Sequence, residues 1–161
     1  MRKIGLGRLL GILMALGLAL QLVPYGHART NPPVRQEPAW DSPTTQDLAV
    51  RACSDCHSNQ TVWPWYAKVA PVSWLIQSDV DRGRQRLNFS EWDRPQRKAS
   101  EAGRRIQRGS MPPWYYVLMH PKANLSPSEK QALVRGLEGT LAKDRSVPAQ
   151  AKEWDTEKRE G

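Results

Sequence analysis

Apolar positions in this chain group into separate stretches, and the first of them lies at the N-terminus. Residues 9–20 carry no polar or charged side chain and follow three basic residues, Arg2, Lys3 and Arg8. A basic start before an apolar run is the form of an export signal. The wider run over residues 4–23 is also about long enough to span a bilayer with some tilt. We therefore interpret residues 1–28 as a signal peptide or a membrane anchor, and we prefer the anchor.

Further along the chain, apolar residues spaced by three and four positions predict several helices. The first has Ser42 as its N-cap and Pro43 at its first helical position, and it should run to about Cys56. Its expected buried stripe consists of Leu48, Ala49 and Ala52. The pattern therefore places both cysteines near the C-terminal end of a helix.

Three later segments also show helical spacing. One spans residues 71–82 and should end at Gly83, and the next spans residues 95–108 and should end at Gly109. The last begins at a Ser-Pro-Ser-Glu capping box at residues 126–129. Its apolar side chains should pack on the first helix, and they are Leu133, Val134 and Leu137. The pattern as a whole predicts an all-α fold.

These elements divide the rest of the chain into three parts. Residues 29–43 are rich in proline, which predicts a semi-rigid tether. Residues 44–140 should form one helical domain, and residues 141–161 read as a polar tail. With 161 residues in total, the chain is long enough for a single modest core.

Composition and charge narrow the range of partners. The formal net charge of +8 favours acidic protein partners or anionic phospholipid. Basic residues alternate with acidic ones and form no compact block, which argues against nucleic acid. Seven Trp and four Tyr supply large apolar faces. Such faces suit packing around a flat aromatic cofactor, and they suit an ordinary aromatic core equally well.

The two cysteines of the chain both lie in the stretch Cys53-Ser54-Asp55-Cys56-His57. Two thiols three positions apart, followed at once by a histidine, match the signature of c-type haem attachment. One helical turn spaces the sulfurs by about the distance between the vinyl groups at one edge of a haem. Cys53 and Cys56 can then form thioethers while His57 binds the iron. The predicted cofactor is one covalent haem c.

Two other chemistries use closely spaced cysteines. In an exported domain, a Cys-x-x-Cys pair can be a redox disulfide. That interpretation needs a βαβ context, which this helix-rich sequence does not offer. Zinc would need two further ligands, and the remaining histidines are His27 and His120. Haem is the preferred interpretation.

Met111 is the candidate for the sixth ligand of the iron. It follows a helix stop and precedes Pro112 and Pro113, so a stiff loop presents its thioether. His120 is the alternative distal ligand, and it would give bis-histidine iron of lower potential. Met119 and an open or water-filled position are further alternatives.

A set of aromatic residues, Trp63, Trp65 and Tyr66, follows the motif closely. We expect these rings to pack against the haem on its proximal side. Filling the core between helices is an equal alternative, and the two interpretations overlap because haem would itself form most of such a core.

The chain resembles the bacterial haem-binding domain proteins of c-type cytochrome character, which share a CxxCH motif, a Trp-Pro-Trp-Tyr run and a later Met-Pro-Pro segment. The resemblance covers most of residues 29–140. The segments that carry it are residues 53–57, 63–66, 70–74, 88–92, 111–113 and 120–121. The resemblance implies haem binding and a small cytochrome c-like helical domain, and it implies no established substrate.

These observations predict a monohaem c-type cytochrome-like protein that carries single electrons. It should lie on the periplasmic side of a bacterial inner membrane, either anchored or soluble in the periplasm. No cluster of acid, base or nucleophile indicates catalysis, so a non-catalytic role is preferred. The alternative is a haem-based gas or redox sensor, or a peroxidase-like module, with a displaceable sixth ligand. Expected partners are acidic redox proteins, and the membrane if the N-terminal segment is not cleaved.

Overall fold

The computed structural model describes residues 5–143, which are mostly helical and include no strand. The all-α prediction is therefore confirmed for this part of the chain. The α-helices are α1 (Leu6–Gln21), α2 (Pro43–Ala52), α3 (Ser54–His57), α4 (Val72–Arg86), α5 (Ala102–Gln107), α6 (Trp114–Met119) and α7 (Pro127–Lys143). Short 3-10 helices cover Trp65–Lys68, Ala99–Glu101 and Pro121–Ala123.

The described residues cluster into two compact units. The first unit comprises residues 5–30 and 62–79, and the second comprises residues 31–61 and 80–143. The boundary between the later segments falls within α4.

In the first unit, long-range hydrogen bonds join the N-terminal segment to residues 62–79. The Gln21 side chain at the end of α1 donates to the Ala70 carbonyl oxygen at 3.1 Å and accepts from the Ala70 amide at 3.0 Å. The Arg29 amide donates to Oε1 of Gln77 at 3.3 Å. Because these bonds satisfy polar groups on both segments, residues 62–79 group with the N-terminal residues.

Helix α1 occupies the N-terminal apolar run and spans 16 residues. Across residues 5–143, no helix combines the length and the apolar character that a membrane span requires. The anchor interpretation of residues 1–28 stays a prediction.

In the second unit, the predicted helix starts are confirmed by their capping bonds. The Ser42 side chain accepts from the Thr45 amide at 3.2 Å, with Pro43 as the first residue of α2. At the start of α7, the Glu129 amide donates to Ser126 Oγ at 3.2 Å, and the Ser126 amide donates to Glu129 Oε2 at 2.8 Å. This reciprocal pair is the predicted capping box.

Helices α2, α5 and α7 pack around the core of the second unit. A Cβ on Gly136 would lie 1.9 Å from Oγ1 of Thr45, so α7 approaches α2 too closely for any other residue. The predicted apolar stripes of the two helices are buried, and they comprise Leu48, Ala49, Ala52, Leu133, Val134 and Leu137. The packing of the last helix on the first is therefore confirmed. Cys53, at the end of α2, packs against the same core.

The predicted helix over residues 95–108 is wrong in its first half. The buried Gln96 side chain donates to the Glu91 carbonyl oxygen at 2.7 Å and accepts from the Asn88 amide at 2.9 Å. These bonds hold the chain in a turn, and α5 begins only at Ala102. The end at Gly109 is as predicted, because this glycine has a φ of +68° that favours glycine.

Residues 31–41, most of the predicted tether, run along the second unit. The Arg35 amide donates to the Ser90 carbonyl oxygen at 2.8 Å. The Trp40 ring packs on Phe89, with ring centroids 5.1 Å apart. This segment thus contacts residues 89–90, in the loop that follows α4.

Helix α7 ends at Lys143, past the predicted domain boundary at residue 140. The rest of the predicted polar tail, residues 144–161, lies outside the described residues.

Candidate cofactor site

Residues 53–57, called the attachment turn below, lie where α2 gives way to α3. Cys53 has a φ of −128° and a ψ of −34° and interrupts the helix that the sequence predicted to continue to Cys56. The Cys53 carbonyl oxygen accepts from the amides of Cys56 at 3.1 Å and His57 at 2.9 Å. Cys53 and Cys56 therefore share one turn, as attachment of one haem edge through two thioethers requires. Within the described chain, no disulfide joins the two residues.

The His57 ring is oriented by a backbone carbonyl. Its Nδ1 lies 3.0 Å from the Leu87 carbonyl oxygen. Because a carbonyl oxygen only accepts, Nδ1 carries the proton, and the lone pair of the neutral ring is on Nε2. Burial lowers the pKa of His57, which further favours the neutral ring. A neutral imidazole fixed through Nδ1 is the usual form of a histidine that binds a metal.

Helix α4 passes directly behind the attachment turn. A Cβ on Gly83 would lie 2.1 Å from the Cys56 carbonyl oxygen, so only glycine allows this approach. This contact explains why α4 continues through Gly83, where the sequence predicted an end. Just after α4, the Phe89 amide donates to the His57 carbonyl oxygen at 2.8 Å. Residues 83–89 thus hold both the backbone and the imidazole of the turn.

The environment of Cys53 differs from that of a redox cysteine. Burial raises the pKa of Cys53 to about 12, so the group is a thiol at neutral pH. Reactive cysteines of Cys-x-x-Cys oxidoreductases have lowered pKa values instead. Within residues 5–143, no three side chains of His, Cys, Asp or Glu come together in a way that could hold a metal ion.

A set of buried hydrogen bonds, called the amide network below, connects the chain after the attachment turn to residues 88–91. Asn88 is fully buried and donates to Oδ1 of Asn59 at 2.9 Å, while its own Oδ1 accepts from the Ser90 amide at 2.9 Å. Glu91 accepts from Asn59 at 2.9 Å and from Arg94 at 2.6 Å. The hydrogen bond from Asn59 is the largest cause that lowers the pKa of Glu91.

Helix α6 contacts the attachment turn through Tyr116. The Tyr116 hydroxyl donates to Oδ2 of Asp55 at 2.7 Å. Asp55 is thus part of an interhelical contact. Sequence reasoning did not single out Tyr116, because nothing local relates it to a residue 61 positions earlier.

Both candidates for the sixth ligand flank α6, and residues 111–120 are called the distal segment below. Met111 is half-buried, follows Gly109 and precedes Pro112. His120 caps the C-terminal end of α6 and is also half-buried, whereas Met119 is 55% exposed. The run before His120 forms the short helix α6.

The predicted haem-packing aromatics belong to the first unit. Trp65 and Tyr66 form an edge-to-face pair with centroids 5.7 Å apart, and Trp65 is 76% exposed. Trp63 lies just before them in the same unit and is half-buried. Their contact with haem stays a prediction.

The chemistry of the attachment turn fits a covalently bound haem. It offers two thiols on one helical turn and, next to the second, an imidazole whose Nδ1 is already engaged. These are the donor types that c-type attachment uses. The second unit is thus a small helical structure that contains the candidate cofactor site.

The comparison with protein families identifies the chain more closely. The model of the haem-binding domain family matches residues 15–139, well over half of the 161 residues. The chain belongs to the haem-binding domain family, and the prediction of haem as its cofactor is confirmed. Neither the curated proteins nor the solved structures gave a match to this chain.

Proposed function

We propose that this protein is a c-type cytochrome-like carrier of single electrons, with one covalent haem, outside the cytoplasmic membrane. Membership of the haem-binding domain family supports the cofactor. The observation that carries the proposal is the attachment turn, in which both cysteines share one turn and Nδ1 of His57 lies 3.0 Å from the Leu87 carbonyl oxygen.

Each residue of the turn has a definite part in this proposal. Bound haem supplies an iron centre that gains and loses one electron. The thiols of Cys53 and Cys56 would each add across one vinyl group, sulfur to one carbon and hydrogen to the other, with no leaving group. His57 would bind the iron through Nε2, while the Leu87 carbonyl keeps the ring orientation and increases the basicity of Nε2.

Covalent attachment is tested by denaturing the purified protein. We expect haem to stay with the chain on a denaturing gel, and to be lost from the Cys53→Ala/Cys56→Ala variant. Met111→Ala is the control, because it leaves both thioethers in place and should keep the haem. Haem that is extracted from the wild-type chain by acidified organic solvent would contradict the proposal and leave only non-covalent binding.

Met111 is the proposed sixth ligand, and His120 is the alternative. A thioether raises the potential relative to a second imidazole, which suits an electron carrier. In the oxidised protein, the far-red absorption band that marks sulfur ligation should disappear in Met111→Ala and persist in His120→Ala. The reverse result, or a wild-type protein without this band, would contradict Met111.

Binding of carbon monoxide to the reduced protein separates electron transfer from the sensor and peroxidase-like alternatives. A sixth ligand that stays bound makes the reduced protein resist carbon monoxide, as expected of a carrier. Rapid, complete binding would favour a displaceable ligand and one of the alternatives.

The N-terminal sequence supports the proposed location, and the net charge supports the proposed class of partner. The basic start and apolar run support export to the periplasmic side of a bacterial inner membrane. The net charge of +8 supports an acidic redox protein as partner. Mass spectrometry of the mature N-terminus tests the first point, because a chain that begins at Arg29 has lost a signal peptide and keeps no anchor.

A further inference from the structure

The contact between Tyr116 and Asp55 joins two parts of the proposed haem site that are distant in sequence. The hydroxyl oxygen lies 2.7 Å from Oδ2, the ordinary distance for a hydrogen bond between two oxygens. A hydrogen bond to an ionised acceptor is about twice as strong as one between neutral groups. Asp55 lies between Cys53 and Cys56, so the bond reaches the middle of the attachment turn.

The Tyr116 phenol is half-buried next to the attachment turn. Its hydroxyl is the donor of this hydrogen bond, and Oδ2 of Asp55 is the acceptor.

Tyr116 also fixes the C-terminal end of α6. The His120 ring stacks on the phenol, with centroids 4.2 Å apart and planes inclined by 17°. Nδ1 of His120 lies 3.0 Å from the Tyr116 carbonyl oxygen, and the His120 amide donates to the same oxygen at 2.9 Å. At the other end, Met111 is two positions before Pro113, the N-cap of α6. Both candidate ligands therefore flank the helix that Tyr116 connects to the attachment turn.

We propose that Tyr116 is a positioning residue, whose bond to Asp55 holds the distal segment, and with it the sixth ligand, against the attachment turn. This inference rests on the proposed attachment of haem at Cys53 and Cys56 and on a sixth ligand from the distal segment. Without the bond, the distal segment would be held less firmly, and an external ligand would compete more readily for the sixth position.

Imidazole is the probe for the first test, in a spectroscopic titration of the oxidised haem-loaded full chain. Tyr116→Phe removes the hydroxyl and keeps the ring that stacks on His120. We expect this variant to bind imidazole about tenfold more tightly than the wild type, which corresponds to about 1.4 kcal/mol and is close to the value of a hydrogen bond to a charged group. An unchanged affinity, even with a lowered denaturation midpoint, would make Tyr116 merely structural and overturn the proposal.

A double-mutant cycle assigns the effect to the pair. Asp55→Ala keeps the Cys-x-x-Cys-His pattern and removes the acceptor, so it should raise imidazole affinity to a similar extent. Adding Tyr116→Phe to Asp55→Ala should then change the affinity by less than about twofold, because the bond is already absent. Fully additive effects would show that Tyr116 acts independently of Asp55. Asn124→Ala, at an exposed position outside the distal segment, is the control and should leave the affinity unchanged.

Amide hydrogen exchange separates failure of this inference from failure of the proposed function. On the purified full chain, in whatever cofactor state it is obtained, Tyr116→Phe should speed exchange of the α6 amides about tenfold relative to the α7 amides. A chain without covalent haem that still shows this change would contradict the haem proposal and leave the Tyr116–Asp55 contact supported. A chain with covalent haem and unchanged α6 exchange would overturn the positioning role alone.

Discussion

The attachment turn and the distal segment differ in how the fold holds them. The turn is enclosed by residues 83–89, which contact its backbone at Gly83 and its imidazole at Leu87. In the distal segment, three large apolar side chains are more than half exposed, namely Trp114 at 77%, Leu118 at 70% and Met119 at 55%. Its contact with the turn is made by a side chain, Tyr116.

This difference matches the two tasks that the proposed function assigns to these regions. A covalent attachment and a proximal ligand need fixed geometry, which backbone contacts at van der Waals distance supply. A sixth ligand held by side-chain contacts at one edge is easier to exchange or to tune. Under the proposed function, the sixth ligand would therefore come from a part of the fold that is less constrained than the attachment turn.

Gly83→Ala should have the largest effect, because it disturbs the enclosure of the attachment turn directly. The new Cβ would lie 2.1 Å from the backbone oxygen of Cys56, so α4 and the turn must move apart. We expect a loss of about 3 kcal/mol in the free energy of unfolding, although alanine has the better helix propensity by about 1 kcal/mol. Chemical denaturation measures the loss.

Gly103→Ala, in α5, is the matched control for Gly83→Ala. A Cβ there would lie 3.2 Å from Cγ1 of Val134, the end of a side chain, so a small shift can accommodate it. We expect a change of less than about 1 kcal/mol in either direction. Equal losses in the two variants would show that the close contact of Gly83 with Cys56 does not cause the larger destabilisation.

Asn88→Ala should have an intermediate effect, because it opens the amide network that supports the attachment turn. The substitution leaves Oδ1 of Asn59 and the Ser90 amide without their partner in a buried position. Unsatisfied buried groups of this kind cost about 2–3 kcal/mol together. Asn124→Ala, at an exposed position, should cost about 0.5 kcal/mol or less. A loss below 1 kcal/mol for Asn88→Ala would mean that water replaces the network at little cost.

The elements that the sequence predicted correctly are those specified by local signals. Ser42 and Pro43 begin α2, and the capping box at residues 126–129 begins α7, because each signal satisfies backbone groups within its own first turn. The buried stripes of these helices follow from their periodicity alone. The candidate site was also found from local sequence, since five consecutive residues contain both thiols and the imidazole, and its attachment to haem stays a prediction.

The elements that the sequence missed depend on contacts between distant residues. Glycine commonly ends helices, but Gly83 lies within α4, where it allows the close approach of the helix to Cys56. Gln96 has good helix propensity, yet its side chain bonds to the loop before it and delays the next helix. The link between Tyr116 and Asp55 spans 61 positions and has no sequence pattern. In each case, a tertiary contact determines the local structure and outweighs the local sequence preference.

Glu91→Gln should have the smallest effect, and its dependence on pH distinguishes it from the other variants. Hydrogen bonds from Asn59, and then from Arg94, lower the pKa of Glu91 in the folded protein. Because the folded pKa is lowered, ionised Glu91 stabilises the protein at pH values above 4.5, its ordinary pKa. This stabilisation is lost as the pH falls through the folded pKa. We expect the variant to be about 1 kcal/mol less stable at neutral pH.

Denaturation at a series of pH values tests the sign of this effect. The difference in the free energy of unfolding between wild type and Glu91→Gln should be constant at neutral pH and shrink as the pH falls below 4.5. At low pH the wild-type carboxylate is protonated and loses its charge, whereas the glutamine side chain does not titrate. Glu37→Gln, at an exposed position of the preceding segment, is the control and should show no such trend beyond about 0.5 kcal/mol. A difference that grows towards low pH would mean that the charge of Glu91 opposes the amide network, so the enclosure of the attachment turn would have to rest on Gly83 and Leu87 alone.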